Sequence, residues 1–238
     1  MPEVAQATET IFERVAAVRR RIEASARRAG RAPEEVKLIA VTKTHPVEIV
    51  RAALDAGLSD FGENRVQEAD AKIAALAESG GRWHLIGHLQ TNKARRAVKL
   101  FDVLHTVDTP ALVARLERLC VEAERRELPV LVQVDLAGEE TKSGVDVAVL
   151  PEIIEQCHNS ERVRLIGLMT LPPYLDEVEL VRPYFRRLRE LRDEWQARGA
   201  FGAHTGELSM GMTHDFEVAI AEGATMVRVG TAIFGARK

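Results

Sequence analysis

Cysteine is almost missing from this chain. Cys120 and Cys157 are its two examples in 238 residues, too few for a disulfide framework or a zinc-ligand set. Long apolar runs are missing as well, since none approaches the roughly 18 residues that suggest a membrane span. Neither sign of charge dominates: 33 basic and 36 acidic side chains leave a net charge of −3, which excludes a generally basic nucleic-acid binder. No low-complexity segment and no evident linker marks a second domain. The 46% hydrophobic and 29% charged residues are globular values. The expectation is a soluble protein of a reducing cytoplasm, with residues 1–238 as a single domain and neither a membrane nor a nucleic acid as partner.

What is present begins with an arginine-rich stretch. Arg14, Arg19, Arg20, Arg21, Arg27, Arg28 and Arg31 would suit an organelle transit peptide, but Glu3, Glu9, Glu13 and Glu23 are interspersed, and such peptides are poor in acids. Ile11, Val15, Val18 and Ile22 fall on one stripe of a helix. The stretch from about 8 to 29 therefore reads as an amphipathic helix packed on the body, with its arginines as a solvated face.

Beyond it, apolar runs alternate with helical patterns. Strands are expected at 36–43 (VKLIAVTK), 60–64, 83–87, 103–107, 129–136 (PVLVQVDL), 165–171, 207–210 and 226–233. Helices are expected between them, one of them capped by Thr109 with Pro110 at its first position. Near-continuous apolar strands alternating with helices indicate parallel strands buried on both faces. An open doubly wound sheet would satisfy that pattern, but eight strands in this length favour an α/β fold of the (β/α)₈ TIM-barrel type with an extra N-terminal helix.

In such a barrel the chemistry lies at the carboxyl ends of the strands. Those ends carry Lys43, Asn64, His88, Lys142, Thr170, the Ser209-Met210-Gly211 turn and Gly230-Thr231. Turns after strands seven and eight are the usual phosphate cradle of this architecture, and both offer glycine with a hydroxyl close by. Arg228 lies two residues before Gly230, on the same face of its strand. A lysine at the end of strand one, opposite that cradle, points to an amine reacting with a phosphorylated carbonyl compound.

Other patterns are weaker. His84 and His88 have metal-pair spacing, but a strand ends between them and no continuous helix joins them, so no metal site is expected. Ser209 sits in a pattern one residue too long for a hydrolase elbow, and Gly230 to Gly235 is followed by Ala236-Arg237 instead of the P-loop lysine.

The segments VTKTHP, FGENRVQE, WHLIGHLQTNK, KSGV, GLMTLPP, LSMGMTHDFEVAIAEG and VRVGTAIFGAR, spread in order over most of the chain, resemble the YggS/PROSC pyridoxal 5′-phosphate homeostasis proteins. That family is similar in fold to the barrel of alanine racemase, and it binds pyridoxal 5′-phosphate (PLP) without an established catalytic activity. The resemblance implies that Lys43 holds PLP as an internal aldimine, that Arg228 contacts the pyridine nitrogen, and that Asn64 lies beside the ring. It implies phosphate contacts from Ser209, Gly230 and Thr231, with Met210 contributing backbone, and makes Lys142 the family's second lysine. Departures from the family pattern are Thr42 for serine, Arg65 for tyrosine and Thr213-His214 for Ser-Asp.

The expected function is PLP binding in intracellular PLP homeostasis, as a carrier or regulator and not as an enzyme. PLP-requiring apoenzymes are its expected recipients, and a monomer or weak dimer its expected state. Racemases of this fold bring a second acid/base group from a further domain, and only five residues follow Ile233 here. Two rivals remain open from the residues: an amino-acid racemase of the same barrel fold, and an aldolase using Lys43 with a sugar phosphate.

Overall fold

The computed structural model describes residues 2–138, 143–202 and 204–235, and Lys142 lies outside them. Eight parallel strands close into a barrel in sequential order. They are β1 (Lys37–Val41), β2 (Asp60–Glu63), β3 (Arg82–Leu85), β4 (Val103–Val107), β5 (Leu128–Gln133), β6 (Val163–Met169), β7 (Glu207–Met212) and β8 (Met226–Val229). Closure is made by β8 on β1, with Ile39 opposite Arg228 and Ala40 opposite Val229.

The helices α1 (Pro2–Arg28), α2 (Val47–Asp55), α3 (Val66–Ala75), α4 (Ala94–Leu100), α5 (Pro110–Glu122), α6 (Leu150–His158), α7 (Arg182–Ala197), α8 (Phe216–Ala221) and α9 (Thr231–Phe234) surround the barrel. Thr109 caps α5 through a 3.1 Å bond from Leu112 N–H, with Pro110 at the first turn as its sequence indicates. Each strand has two buried faces. Ile39, Val103, Leu131, Ile166, Met169 and Met226 fill the barrel interior. The larger cluster lies between sheet and helices and includes Phe61, Trp83, Leu104, Val132, Leu168 and Met210. This double burial explains why the strands read as continuous apolar runs.

The N-terminal helix starts at Pro2, earlier than the hydrophobic stripe indicates. Ile11, Val15, Val18 and Ile22 are all buried, and α1 lies against α2, α8 and α9. It therefore occupies the place beside α8 that a full-length helix after β8 would take. Its arginines are not simply a solvated face. Arg19 donates to Gly57 O at 2.6 Å, and Arg21 pairs with Glu217 while covering the Phe216 ring. Arg31, just beyond the helix, donates to the carbonyls of Ile220 and Ala224. These bonds pin the helix to the barrel.

The expected strand 226–233 is corrected at its end. β8 stops at Val229, and Thr231–Phe234 turn into α9. Ile233 and Phe234 continue the apolar pattern that suggests a strand, yet their N–H groups bond back to Gly230 O.

Among the described residues no helix is long and apolar enough to cross a membrane. Cys120 and Cys157 are both buried and unpaired, and burial pushes the Cys157 thiol up to about 12.

Candidate functional site

The carboxyl ends of β1, β2, β7 and β8 meet at one side of the barrel mouth. Lys43 follows β1 by two residues and is half-buried. Its turn is tightly held. Thr42 N–H donates to Gly62 O at 3.0 Å, and His45 N–H returns to Thr42 O at 3.1 Å. Thr44, at a left-handed φ of 66°, donates its N–H to Glu68. Behind the turn, on the outer face of the barrel wall, Lys72 Nζ donates to Thr42 O at 2.6 Å and to Glu63 Oε1 at 2.7 Å. Thr42 Oγ1 donates to the same carboxylate oxygen at 2.6 Å. The peptide that carries Lys43 is thus fixed by a buried cation from α3.

Asn64 follows β2 at the mouth, and its backbone packs against Gly87. A Cβ at position 87 would come within 2.7 Å of Asn64 Cα and collide with its carbonyl, so this approach needs glycine. Asn64 borders a surface cleft that also includes Arg65, Gly87, His88 and Lys93.

The β8 end supplies a glycine turn. Gly230 packs on Val41 of β1, which brings Gly230 and Thr231 beside the Lys43 turn. Because Gly230 O accepts from Ile233 and Phe234, the N–H groups of Thr231 and Ala232 precede the first helical bond. Thr231 is exposed, and Thr213 Oγ1 lies 3.3 Å from Gly230 N. The turn after β7 is shaped by Gly211, at φ 90°, where a Cβ would strike Ala219 Cβ at 2.6 Å. Asp215 closes that turn by accepting Met212 N–H at 2.6 Å, and burial raises its pKa.

Arg228 is 2% exposed and points into the barrel beneath the mouth. It donates to Ser209 Oγ at 2.6 Å and to Thr170 O at 2.9 Å, and among the described residues no carboxylate lies within ion-pair distance of it. Burial lowers its pKa to about 10, so it stays a cation at neutral pH. Both hydrogen-bond partners of this buried guanidinium are neutral, and Asp215 is the carboxylate whose charge acts on it.

The mouth thus gathers Lys43, Asn64, Arg228, Gly230 and Thr231. One expected contact, the Ser209 hydroxyl, is not at the mouth. The Ser209 hydroxyl is fully buried in the barrel interior, bonded to Arg228 and to His105 Nδ1 at 2.9 Å, because Ser209 shares the inward face of β7. The Met210 side chain faces the opposite way, into the core between sheet and helices. Thr213, which stands out in sequence only as a departure from the family pattern, holds the rim position. His84 and His88 are separated: His84 is inside the barrel, and His88 pairs with Asp108 at 3.3 Å.

Sequence reasoning also missed Asp60, His84 and His105, which join Ser209 in one buried polar run. The available signal was a histidine in the middle of the apolar strands WHLI and VLHTV.

The family model for the N-terminal domain of alanine racemase matches residues 14–238. The chain is 45% identical to the pyridoxal phosphate homeostasis protein of Aquifex aeolicus, over 95% of this chain and 98% of that one. It is 43% identical to the protein of the same name in Escherichia coli K12, over 95% and 97%. Among solved structures it is similar to PipY of Synechococcus elongatus with PLP bound, with a TM-score of 0.83 and 40% identity over 94% of this chain and all of that one.

Proposed function

This chain belongs to the alanine racemase N-terminal-domain family and, within it, to the pyridoxal phosphate homeostasis proteins; from that premise we propose that it binds PLP at the barrel mouth and acts as a carrier or regulator of the cofactor. Arg228 carries this reading: a buried cation without an ion pair among the described residues, beneath a lysine turn on one side and a glycine turn on the other.

The donor set fits the group. PLP supplies an aldehyde that condenses reversibly with an amine, a ring nitrogen that accepts a hydrogen bond, and a phosphate dianion. Lys43 offers the amine on a turn that Lys72 and Glu68 hold still. Arg228 would donate to the ring nitrogen from below, and Asn64 would flank the ring. The backbone N–H groups of Thr231 and Ala232, with the hydroxyls of Thr213 and Thr231, would hold the phosphate. Thr213 takes the place there that the family resemblance implies for Ser209, whose hydroxyl is engaged inside the barrel. Recipients of the carried cofactor would be PLP-requiring apoenzymes.

The relatives named as homeostasis proteins favour a carrier over an enzyme. An effectively permanent guanidinium cation at the ring nitrogen discourages protonation there and so weakens electron withdrawal through the ring. The test is incubation of PLP-loaded protein with D- and L-alanine, serine and lysine in heavy water. No α-proton exchange above that of free PLP is expected. Repeated Lys43-dependent exchange would favour the racemase instead.

A further inference from the structure

The polar run inside the barrel has a defined direction. Asp60 Oδ1 lies 2.9 Å from His84 Nε2, and His84 Nδ1 lies 2.9 Å from His105 Nε2. His105 Nδ1 lies 2.9 Å from Ser209 Oγ, which lies 2.6 Å from Arg228 Nη1. The members come from β2, β3, β4, β7 and β8, so the run crosses the barrel from the amino end of β2 to the mouth. His84, His105 and Ser209 have no exposed surface, while the Asp60 side chain retains 12%.

Simple valence fixes who donates. A carboxylate only accepts, so the hydrogen between Asp60 and His84 sits on His84 Nε2. A neutral imidazole has one N–H, so His84 Nδ1 must accept from His105 Nε2–H. His105 Nδ1 is then bare and accepts the Ser209 hydroxyl hydrogen. The Ser209 oxygen is left to accept from Arg228, which can only donate. Every bond is satisfied in one polarity, from guanidinium to carboxylate.

Both rings are held neutral as this polarity needs. Burial lowers the His84 pKa against the pull of Asp60, and burial, His84 and Arg228 lower that of His105 well below the usual value. Lys37 and Arg82, the other charges acting on these rings, lower both further. A barrel interior is ordinarily filled with branched apolar side chains, and a buried polar set is seldom there for stability.

We propose that Asp60, His84, His105 and Ser209 are positioning residues that form one oriented hydrogen-bond chain, fixing the rotation of the Arg228 guanidinium and the donors it presents to the mouth. What those donors meet rests on the PLP reading above; the chain itself does not.

The test separates the two. In PLP-free protein at about pH 7.5, above the ordinary histidine pKa, ¹⁵N NMR of labelled histidine and arginine should find both rings neutral and protonated on Nε2. Asp60→Leu should change the His105 tautomer and shift the Arg228 Nε–H resonance from the far side of the barrel. Asp60→Asn, which still offers an oxygen, should preserve both. With PLP bound, the cofactor's absorption band should move in Asp60→Leu and stay in place in Asp60→Asn, with PLP content unchanged.

A ring protonated on Nδ1 or charged in the wild type overturns the proposal, and this needs no variant to fold. So does a folded Asp60→Leu protein whose Arg228 resonance and PLP band stay in place. Failure of the wild type to take up PLP would refute the functional reading, leaving the NMR measurements to decide the chain.

Discussion

Lys72 Nζ lies 2.7 Å from Glu63 Oε1 in the wall of the barrel, and both side chains are almost completely shielded from water. The pair sits directly behind the peptide that carries Lys43, because the same ammonium donates to Thr42 O. Burial raises the Glu63 pKa against the opposing pull of Lys72 and Thr42, and Glu63 Oε2 has no hydrogen-bond partner among the described residues.

Removing one partner should therefore hurt twice. Lys72→Ala leaves a buried carboxylate unpaired, which costs on the order of 3–5 kcal/mol of stability. Lys72→Met with Glu63→Gln should recover most of that loss in urea unfolding. The double variant should nevertheless retain PLP less well than wild type, because Thr42 O loses its charged donor. Equal PLP retention in wild type and double variant would show that this ion pair serves stability alone.

Acid should destabilise the fold from the neutral side of the ordinary histidine pKa of 6.5. His84 and His105 are neutral when folded, their pKa values being lowered mainly by burial. The unfolded chain therefore binds more protons below pH 6.5, and stability rises with pH through that window. The contribution is present above the unfolded pKa and is lost as pH falls toward the depressed folded values. Each histidine adds a slope approaching about 1.4 kcal/mol per pH unit. Urea midpoints between about pH 7.5 and pH 5 would measure it. A flat profile there would mean that the rings are protonated in the native state.

The barrel was legible in the sequence because a strand buried on both faces leaves an unbroken apolar run, and eight such runs are present. The same reason makes the sequence overextend its last strand. Ile233 and Phe234 are apolar and would suit a strand, but Gly230 ends β8 and the chain coils into α9. Lys43 and Arg228 could be located because chemistry at a barrel mouth follows strand ends. Ser209 could not be oriented from sequence alone, since one residue of register decides between the rim and the interior. Asp60, His84 and His105 are distant in sequence, and only the closed barrel makes them neighbours.

Phosphate anchoring by the β7 and β8 turns predicts a ligand-specific effect. Hydrogen bonds to a charged acceptor are worth roughly 1.5–3 kcal/mol each, so losing one corresponds to roughly ten- to a hundred-fold weaker retention. Thr213→Val and Thr231→Val should each release PLP more readily by about that factor. Binding of pyridoxal, which lacks the phosphate, should change little. Ser209→Ala should instead affect both ligands alike, because its hydroxyl bonds Arg228. Equal losses for both ligands in the threonine variants would assign those hydroxyls to the fold.

On the proposed function, Lys43 is the residue that carries the cofactor. Borohydride reduction of PLP-loaded protein, followed by peptide mapping, tests it most directly. A stable pyridoxyl label is expected on the peptide containing Lys43, and it should be lost in a folded Lys43→Ala protein. A wild-type label found only on another lysine, Lys142 included, or no stable label on a PLP-loaded protein, would contradict it.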